Sequence, residues 1–301
     1  MNKKKRLISI IGPTAVGKTE ISIELARIFR TEIISSDSRQ IYKELELGTA
    51  KPSDEQTQLI KHHFVNSHSI HDPFDAGKFE KEAIKIINGL FTRNKEVIMV
   101  GGTGLYCKAI WEGFNNIPRV PQEIRIKLQD EYKILGIEPL QLELQTKDPL
   151  SHARIDLKNP QRLIRALEVI RYTKRPLSEF LQIPSVPKRP FYNIKIGINL
   201  PRKQLYERID QRVDKMIRNG LINEAASMEE FKHLNALQTV GYKEIFPYLN
   251  EEYDFEELVR LIKRNTRRYA KRQLTWFNKD QSIKWVLPNQ IDLIKQHLLQ
   301  A

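Results

Sequence analysis

The chain has one cysteine, Cys107, in 301 residues. That excludes a disulfide framework and fits a reducing compartment, so a cytoplasmic protein is expected. Long apolar runs are missing too. None approaches the ~18 residues that a membrane span needs, so no membrane partner is expected. The basic start and apolar stretch at Met1–Ile11 could mimic a signal peptide, but Leu7–Ile11 is short and Gly12-Pro13 follows at once. A buried strand is the better reading. Acidic residues are scarce in one half only. Residues 1–150 hold 22 Lys+Arg against 20 Asp+Glu, whereas residues 151–301 hold 28 against 17, or +11 of the net +13. A near-neutral front half joined to a basic back half suggests a polyanionic partner bound mainly by the back half.

The apolar pattern alternates between strands and helices. Leu7–Ile11, Glu32–Ser35, Glu96–Val100, Asn193–Leu200 and Ile283–Leu287 read as strands. Lys18–Phe29, with Ile21, Leu25 and Ile28 in register, reads as a helix, as does Ala76–Leu90. Such alternation predicts an α/β fold, a P-loop-type parallel sheet with flanking helices. Pro121–Phe180 breaks the pattern, being helical and strand-free between proline-rich stretches at 117–121 and 183–190. Three segments are expected: the first part of the core at 1–118, a helical insertion domain at 119–185, and core completion with a basic helical region at 186–301.

The stretch Gly12-Pro13-Thr14-Ala15-Val16-Gly17-Lys18-Thr19 follows a predicted strand and opens a predicted helix. It fits the phosphate-cradling pattern G-x-x-x-x-G-K-[ST] in the context that pattern requires. The glycines let backbone amides converge on an anion, and the helix N-terminus adds partial positive charge. Lys18 adds a full charge, and the Thr19 hydroxyl suits Mg²⁺. Phosphoryl transfer does not follow. The usual partner strand ends in a metal-binding acid, but "EVIMV" runs into Gly101-Gly102-Thr103. Asp37 is the strand-end carboxylate available, either as metal anchor or general base, or simply as a helix N-cap. A small-molecule kinase stays open at this point.

Further motifs narrow the choice. "GPTAVGKT", "SSDSRQIYKELELGTAKP" (35–52), "GGTGLY" (101–106), "NPQRLIRALEVI" (159–170), "TVGYKE" (239–244) and "TRRYAKRQLTWF" (266–277) occur in order over nearly the whole chain. Together they resemble the tRNA dimethylallyltransferases, also called IPP transferases. The resemblance implies that the cradle binds the diphosphate of dimethylallyl diphosphate. It also implies transfer of the prenyl group to N6 of the adenine just 3′ of the tRNA anticodon. Lys18 and Mg²⁺ would stabilise the leaving diphosphate, Arg212 would reach it, Asp37 would be the general base and Thr103 would lie near the leaving oxygen. Residues implied to meet the anticodon stem-loop are Asp37, Ser38, Arg39, Gln40, Thr103, Arg125, Gln161, Arg162, Leu163, Ile164, Arg165, Thr239, Gly241, Tyr242 and Lys243. Base flipping into a channel that excludes water, and a monomeric enzyme, are further expectations.

The residues themselves favour RNA. Arg260, Lys263, Arg264, Arg267, Arg268, Lys271 and Arg272 lie in one predicted helix with no acid before Lys279, and Tyr269 and Trp276 interleave with them. Arg264, Arg268 and Lys271 are the chosen phosphate contacts. Arg208 is expected on a solvated face paired with Glu207, Asp210 and Asp214. The cluster His62, His63, His68 and His71 is expected to be loop-like and structural, and Cys107 to be a packed hydrophobe. An isopentenyltransferase acting on free adenine nucleotides, a P-loop kinase and an RNA-binding scaffold are the alternatives. The "QRLIR" stretch and the basic helix count against the first two, and the intact Lys18, Thr19 and Asp37 against the third.

Overall fold

The computed structural model describes residues 5–115, 117–182 and 189–300. The basic start at 1–4 and most of the proline-rich stretch at 183–190 lie outside the described residues. The chain divides into two compact units, Met1–Trp111 with Arg189–Ala301, and Glu112–Lys188.

The first unit begins with β1 (Arg6–Ile11), α1 (Lys18–Ile28), β2 (Ile33–Ser35), α2 (Asp54–Leu59), β3 (His62–His63), α3 (Ala76–Leu90), β4 (Glu96–Gly101) and α4 (Gly104–Trp111). The second unit follows, as α5 (Gln122–Leu135), α6 (Glu138–Lys147), α7 (Pro149–Arg154), α8 (Pro160–Thr173) and α9 (Leu177–Gln182). The chain then returns to the first unit with β5 (Tyr192–Ile198), α10 (Arg202–Arg218), α11 (Leu221–Ala226), α12 (Tyr242–Leu249), α13 (Phe255–Phe277), β6 (Lys284–Val286) and α14 (Ile291–Gln300).

The sheet has six strands in the order β3-β2-β4-β1-β5-β6, and every pairing is parallel. β1 lies centrally because its sequence is apolar on both faces, as a doubly covered strand requires. Leu7, Ile8, Ile10 and Ile11 are all fully buried, and each such side chain contributes about 1.5–3 kcal/mol of transfer free energy. Ser9 interrupts this run, and its hydroxyl accepts a 2.9 Å bond from Trp111 Nε1, so the buried polar atom is satisfied. Parallel pairing brings the C-terminal ends of β1, β2 and β4 to one edge, where open α/β sheets bind ligands.

Two expectations change. In α1 the buried apolar residues are Ile21, Ile23, Leu25 and Ala26, while Ile28, the last residue of the helix, is half-exposed at 50%. The two-residue β3, at the edge of the sheet, was expected as loop. Two histidines carry no apolar alternation, and their pairing with Ile33 and Ile34 of β2 defines them as strand.

The helical unit has its own core, with Leu128, Leu140, Leu144, Leu163, Ile164, Leu167 and Phe180 among its buried members. Asn159 caps α8 through a bond to the Arg162 amide, and Pro160 takes the first helical position, where it loses no hydrogen bond. Arg171 braces the unit by bidentate bonds to both Glu131 and Glu143 at 2.6–3.1 Å.

Candidate active site and RNA-facing residues

The loop between β1 and α1 folds as a cradle because two of its residues are glycine. Gly12 has φ +145°, and a Cβ there would stand 2.3 Å from the Ile198 carbonyl oxygen of β5. Gly17 is left-handed at φ +97° and precedes α1 without any side-chain cap. The first-turn amides of α1 therefore have no protein acceptor of that kind and are available to an anion. Lys18 closes the loop, its Nζ donating to the Pro13 carbonyl at 2.7 Å. Burial, and then the Arg212 guanidinium, push its pKa down to about 8, with Asp37 offsetting part of the shift.

Around the cradle lies a cavity of about 440 Å³. Thr14 to Glu20 form one wall. α10 contributes Arg208 and Arg212. Arg212 donates from Nη1 to Thr14 Oγ1 at 3.1 Å. Arg208 is exposed, as expected of a solvated face, but it also lines the cavity, with its Nη1 3.7 Å from where a Cβ on Gly17 would stand. Its acidic neighbours turn elsewhere, Asp210 to Arg267 at 2.6 Å and Asp214 to Lys263 at 2.7 Å.

Asp37 lines the cavity just beyond the end of β2. Its Oδ1 accepts from the Arg39 amide at 2.9 Å and the Gln40 amide at 3.4 Å, so it closes a turn and no helix follows. Thr103, past the end of β4, holds that turn from behind. Its hydroxyl accepts from the Ser38 amide at 3.0 Å and donates to Ser38 Oγ at 3.3 Å. Tyr269 of α13 lines the same cavity and interacts with Thr103, and burial raises its phenol pKa. Gln40 is tied to the carbonyls of Thr49 and Ala50, and Arg39 donates to the Asn235 carbonyl at 2.7 Å. Thr239 and Gly241 also line the cavity, while Lys243 is exposed.

One site residue was missed in the sequence. Gln273 of α13, only 5% exposed, accepts from the Thr14 amide at 2.9 Å and donates to the Gly102 carbonyl at 3.0 Å. It ties the cradle to the end of β4. The available signal was an amide side chain on the buried face of α13, which also carries Ile262, Ala270 and Phe277.

The expected RNA contacts divide into two groups. Gln161 and Arg162 are exposed on α8, and Arg165 and Arg125 converge on the buried Glu168 at 2.5 and 3.8 Å. Leu163 and Ile164 are 0% and 5% exposed in the core of the helical unit, because they lie on the apolar face of α8, and they are not retained as contacts. Tyr242 is likewise fully buried. Its hydroxyl donates to Glu224 at 2.5 Å and accepts from the Gly48 amide at 3.2 Å, a structural role that removes it from the RNA-contact set. On α13, Arg260, Lys263 and Arg267 are held by Glu257, Asp214 and Asp210. Arg268, Lys271 and Arg272 are exposed, and Arg264 is half-buried beside Asn265.

The histidines pack locally. His63 Nε2 lies 2.6 Å from Glu32, His62 Nδ1 lies 2.7 Å from the Ile60 carbonyl, and the His68 ring lies 4.2 Å from Phe74. Among the described residues no group of three or more His, Cys, Asp or Glu could hold a metal ion. Cys107 is buried beside Ser36, and burial pushes its thiol up to about 12. No helix among the described residues is long and apolar enough to cross a membrane.

Fold and site together define a P-loop-type α/β transferase: a cationic anion cradle facing a strand-end carboxylate across one cavity. The profile of the IPP transferase family matches residues 40–280. The tRNA dimethylallyltransferase of Cytophaga hutchinsonii is 49% identical over 287 residues, covering 95% of this chain and 94% of that protein. That of Christiangramia forsetii is 51% identical over 279 residues, covering 93% and 92%. The solved tRNA isopentenylpyrophosphate transferase of Bacillus halodurans superposes with a TM-score of 0.73 at 34% identity, covering 99% of this chain and 96% of that one. A eukaryotic dimethylallyltransferase solved acting on tRNA superposes with a TM-score of 0.78 at 27% identity, covering 94% and 74%. The chain belongs to the IPP transferase family.

Proposed function

We propose that this protein transfers a dimethylallyl group from dimethylallyl diphosphate to N6 of the adenine 3′-adjacent to the anticodon of tRNA. The observation that carries the reading is one cavity in which Lys18 and Arg212 flank the cradle and Asp37 faces it, while β4 ends in glycines instead of an acid. In the reaction the bond from N6 to the allylic C1 forms, the C1–O bond breaks, the amine proton passes to Asp37 and diphosphate leaves. Negative charge builds on the diphosphate oxygens, where Lys18, Arg212 and the α1 amides stabilise it. Asp37, with Oδ1 engaged by two backbone amides, is oriented to take the proton. Thr103 positions that turn.

The Thr19 hydroxyl, in the cradle at the start of α1, is a hard-oxygen donor that would hold Mg²⁺ jointly with a diphosphate. When bound, Mg²⁺ supplies further positive charge against the leaving oxygens. The proposed enzyme is a monomer that works in the cytoplasm. Arg39, Thr239 and Gly241 at the cavity, Gln161, Arg162, Arg165 and Arg125 on the helical unit, and Lys243, Arg264, Arg268 and Lys271 elsewhere are the proposed tRNA contacts.

The test incubates the protein with unmodified tRNA, Mg²⁺ and either labelled dimethylallyl diphosphate or γ-labelled ATP. Prenyl label should enter tRNA without ATP. Transfer of γ-phosphate to a small acceptor with no prenylation would overturn the reading. Prenylation of adenosine monophosphate as readily as tRNA would replace the acceptor.

A further inference from the structure

Gln273 stands at the junction of two features on which a triphosphate-using P-loop enzyme depends. The first is the run of cradle amides. The Thr14 amide is already consumed, donating to Gln273 Oε1 at 2.9 Å. Its hydroxyl is also engaged, by Arg212 at 3.1 Å. The second is the end of β4, where a metal-binding acid would stand. A Cβ on Gly102 would lie 2.2 Å from Gln273 Nε2, and one on Gly101 would lie 2.2 Å from Ser36 Oγ. Neither position has room for an acidic side chain while Gln273 and Ser36 are in place. Gln273 is itself 5% exposed and uses both ends of its amide, so it is fixed by the strand end as well as by the loop.

We propose that Gln273 sets the length of the phosphate chain the cradle accepts, capping the outer amide of the loop so that a diphosphate is held and a triphosphate is disfavoured. The inference rests on the diphosphate reading above and adds to it the residue that enforces the selectivity. The amides from Ala15 onward, with Lys18, are left for two phosphates. A third phosphate on the outer side would meet the Gln273 carboxamide instead of a free N–H. Because Gln273 belongs to α13, the helix that carries the exposed cations, the RNA-facing element also shapes the donor site.

The test measures binding of magnesium pyrophosphate and magnesium tripolyphosphate to the full chain by calorimetry, with no turnover required. Wild type should prefer pyrophosphate. Gln273→Ala frees the Thr14 amide and opens the strand end. The ratio of tripolyphosphate to pyrophosphate affinity should then rise about tenfold, equivalent to about 1.4 kcal/mol and in the range of one hydrogen bond to a charged group. Gln273→Met fills the same space without capping the amide and carries the test if the alanine variant does not fold. Gln273→Glu keeps an acceptor for Thr14 and adds like charge, so its ratio should not rise. A wild-type ratio retained in both Gln273→Ala and Gln273→Met, with both anions still bound, overturns the inference alone. Failure of wild type to bind pyrophosphate overturns the diphosphate reading and this inference with it.

Discussion

Removal of Arg264, Arg268 and Lys271 together is the sharpest test of how tRNA is held. α13 carries seven basic residues between Arg260 and Arg272, but three are neutralised by carboxylates within the fold. Arg264, Arg268, Lys271 and Arg272 have no such partner among the described residues. Each phosphate contact contributes about 0.7 to 0.9 to the slope of log affinity against log salt, so loss of three flattens it by about 2 to 3. Between about 50 and about 200 mM salt, wild type should therefore lose ~20- to ~40-fold more affinity than the triple-alanine variant. Filter binding of an anticodon stem-loop RNA across a salt series reads this directly. Single-turnover transfer at saturating RNA should stay near normal, because none of the three residues lines the cavity. Lys263→Ala with Arg267→Ala is the contrast: those cations already face Asp214 and Asp210, so the slope should change by less than about one unit. Equal affinity and equal slope in wild type and the triple variant would refute the assignment and leave α13 a solvated face.

Three further outcomes follow from the site. Asp37→Asn should lower single-turnover transfer ~10²–10⁴-fold with RNA affinity intact, and near-normal turnover would leave Asp37 a turn-forming residue only. Lys18 is held at about 8, below its ordinary value, by burial and Arg212. In the free protein between about pH 8 and the usual lysine value the unfolded chain binds the extra proton, so Lys18's contribution to folding stability rises with pH there. Pyrophosphate needs the charged form, so its affinity should fall above about pH 8; calorimetry on Lys18→Met should show a flat profile, and a flat wild-type profile would count against Lys18 as the titrating group. Tyr242→Phe should cost about 1–3 kcal/mol in urea unfolding, because the Glu224 carboxylate loses its hydroxyl donor and keeps only the Leu47 and Gly48 amides, with RNA affinity unchanged. A loss of RNA affinity without a loss of stability would restore Tyr242 as a contact.

What could be read from the sequence was what lies close together along it. The cradle is eight consecutive residues whose chemistry is local, and the strands announce themselves by continuous apolar runs. Asp37 and Thr103 stand directly after strands, so their approach follows from parallel pairing. Gln273 could not be found this way, since its partner Thr14 is 259 positions distant. The same holds for Arg208 and for the neutralised cations of α13. Acids nearby in sequence, Asp210 and Asp214, turned out to serve another helix. Resemblance to a family motif also carries over residues that are there for packing, as Leu163, Ile164 and Tyr242 illustrate.

The order of strands in the sheet has a consequence for how the protein is made. β1 is flanked by β4 and β5, and β5 is not synthesised until residue 192. At ribosomal speeds of roughly 5–20 residues per second, one edge of β1 waits on the order of ten seconds or more for its neighbour. During that wait the contiguous helical unit, whose contacts are local, is able to fold first. Arg212 arrives later still, and Gln273 later again. A chain stopped before residue 212 thus carries the complete cradle motif but neither its arginine nor its clamp. Completion of the cradle is deferred until α13 exists.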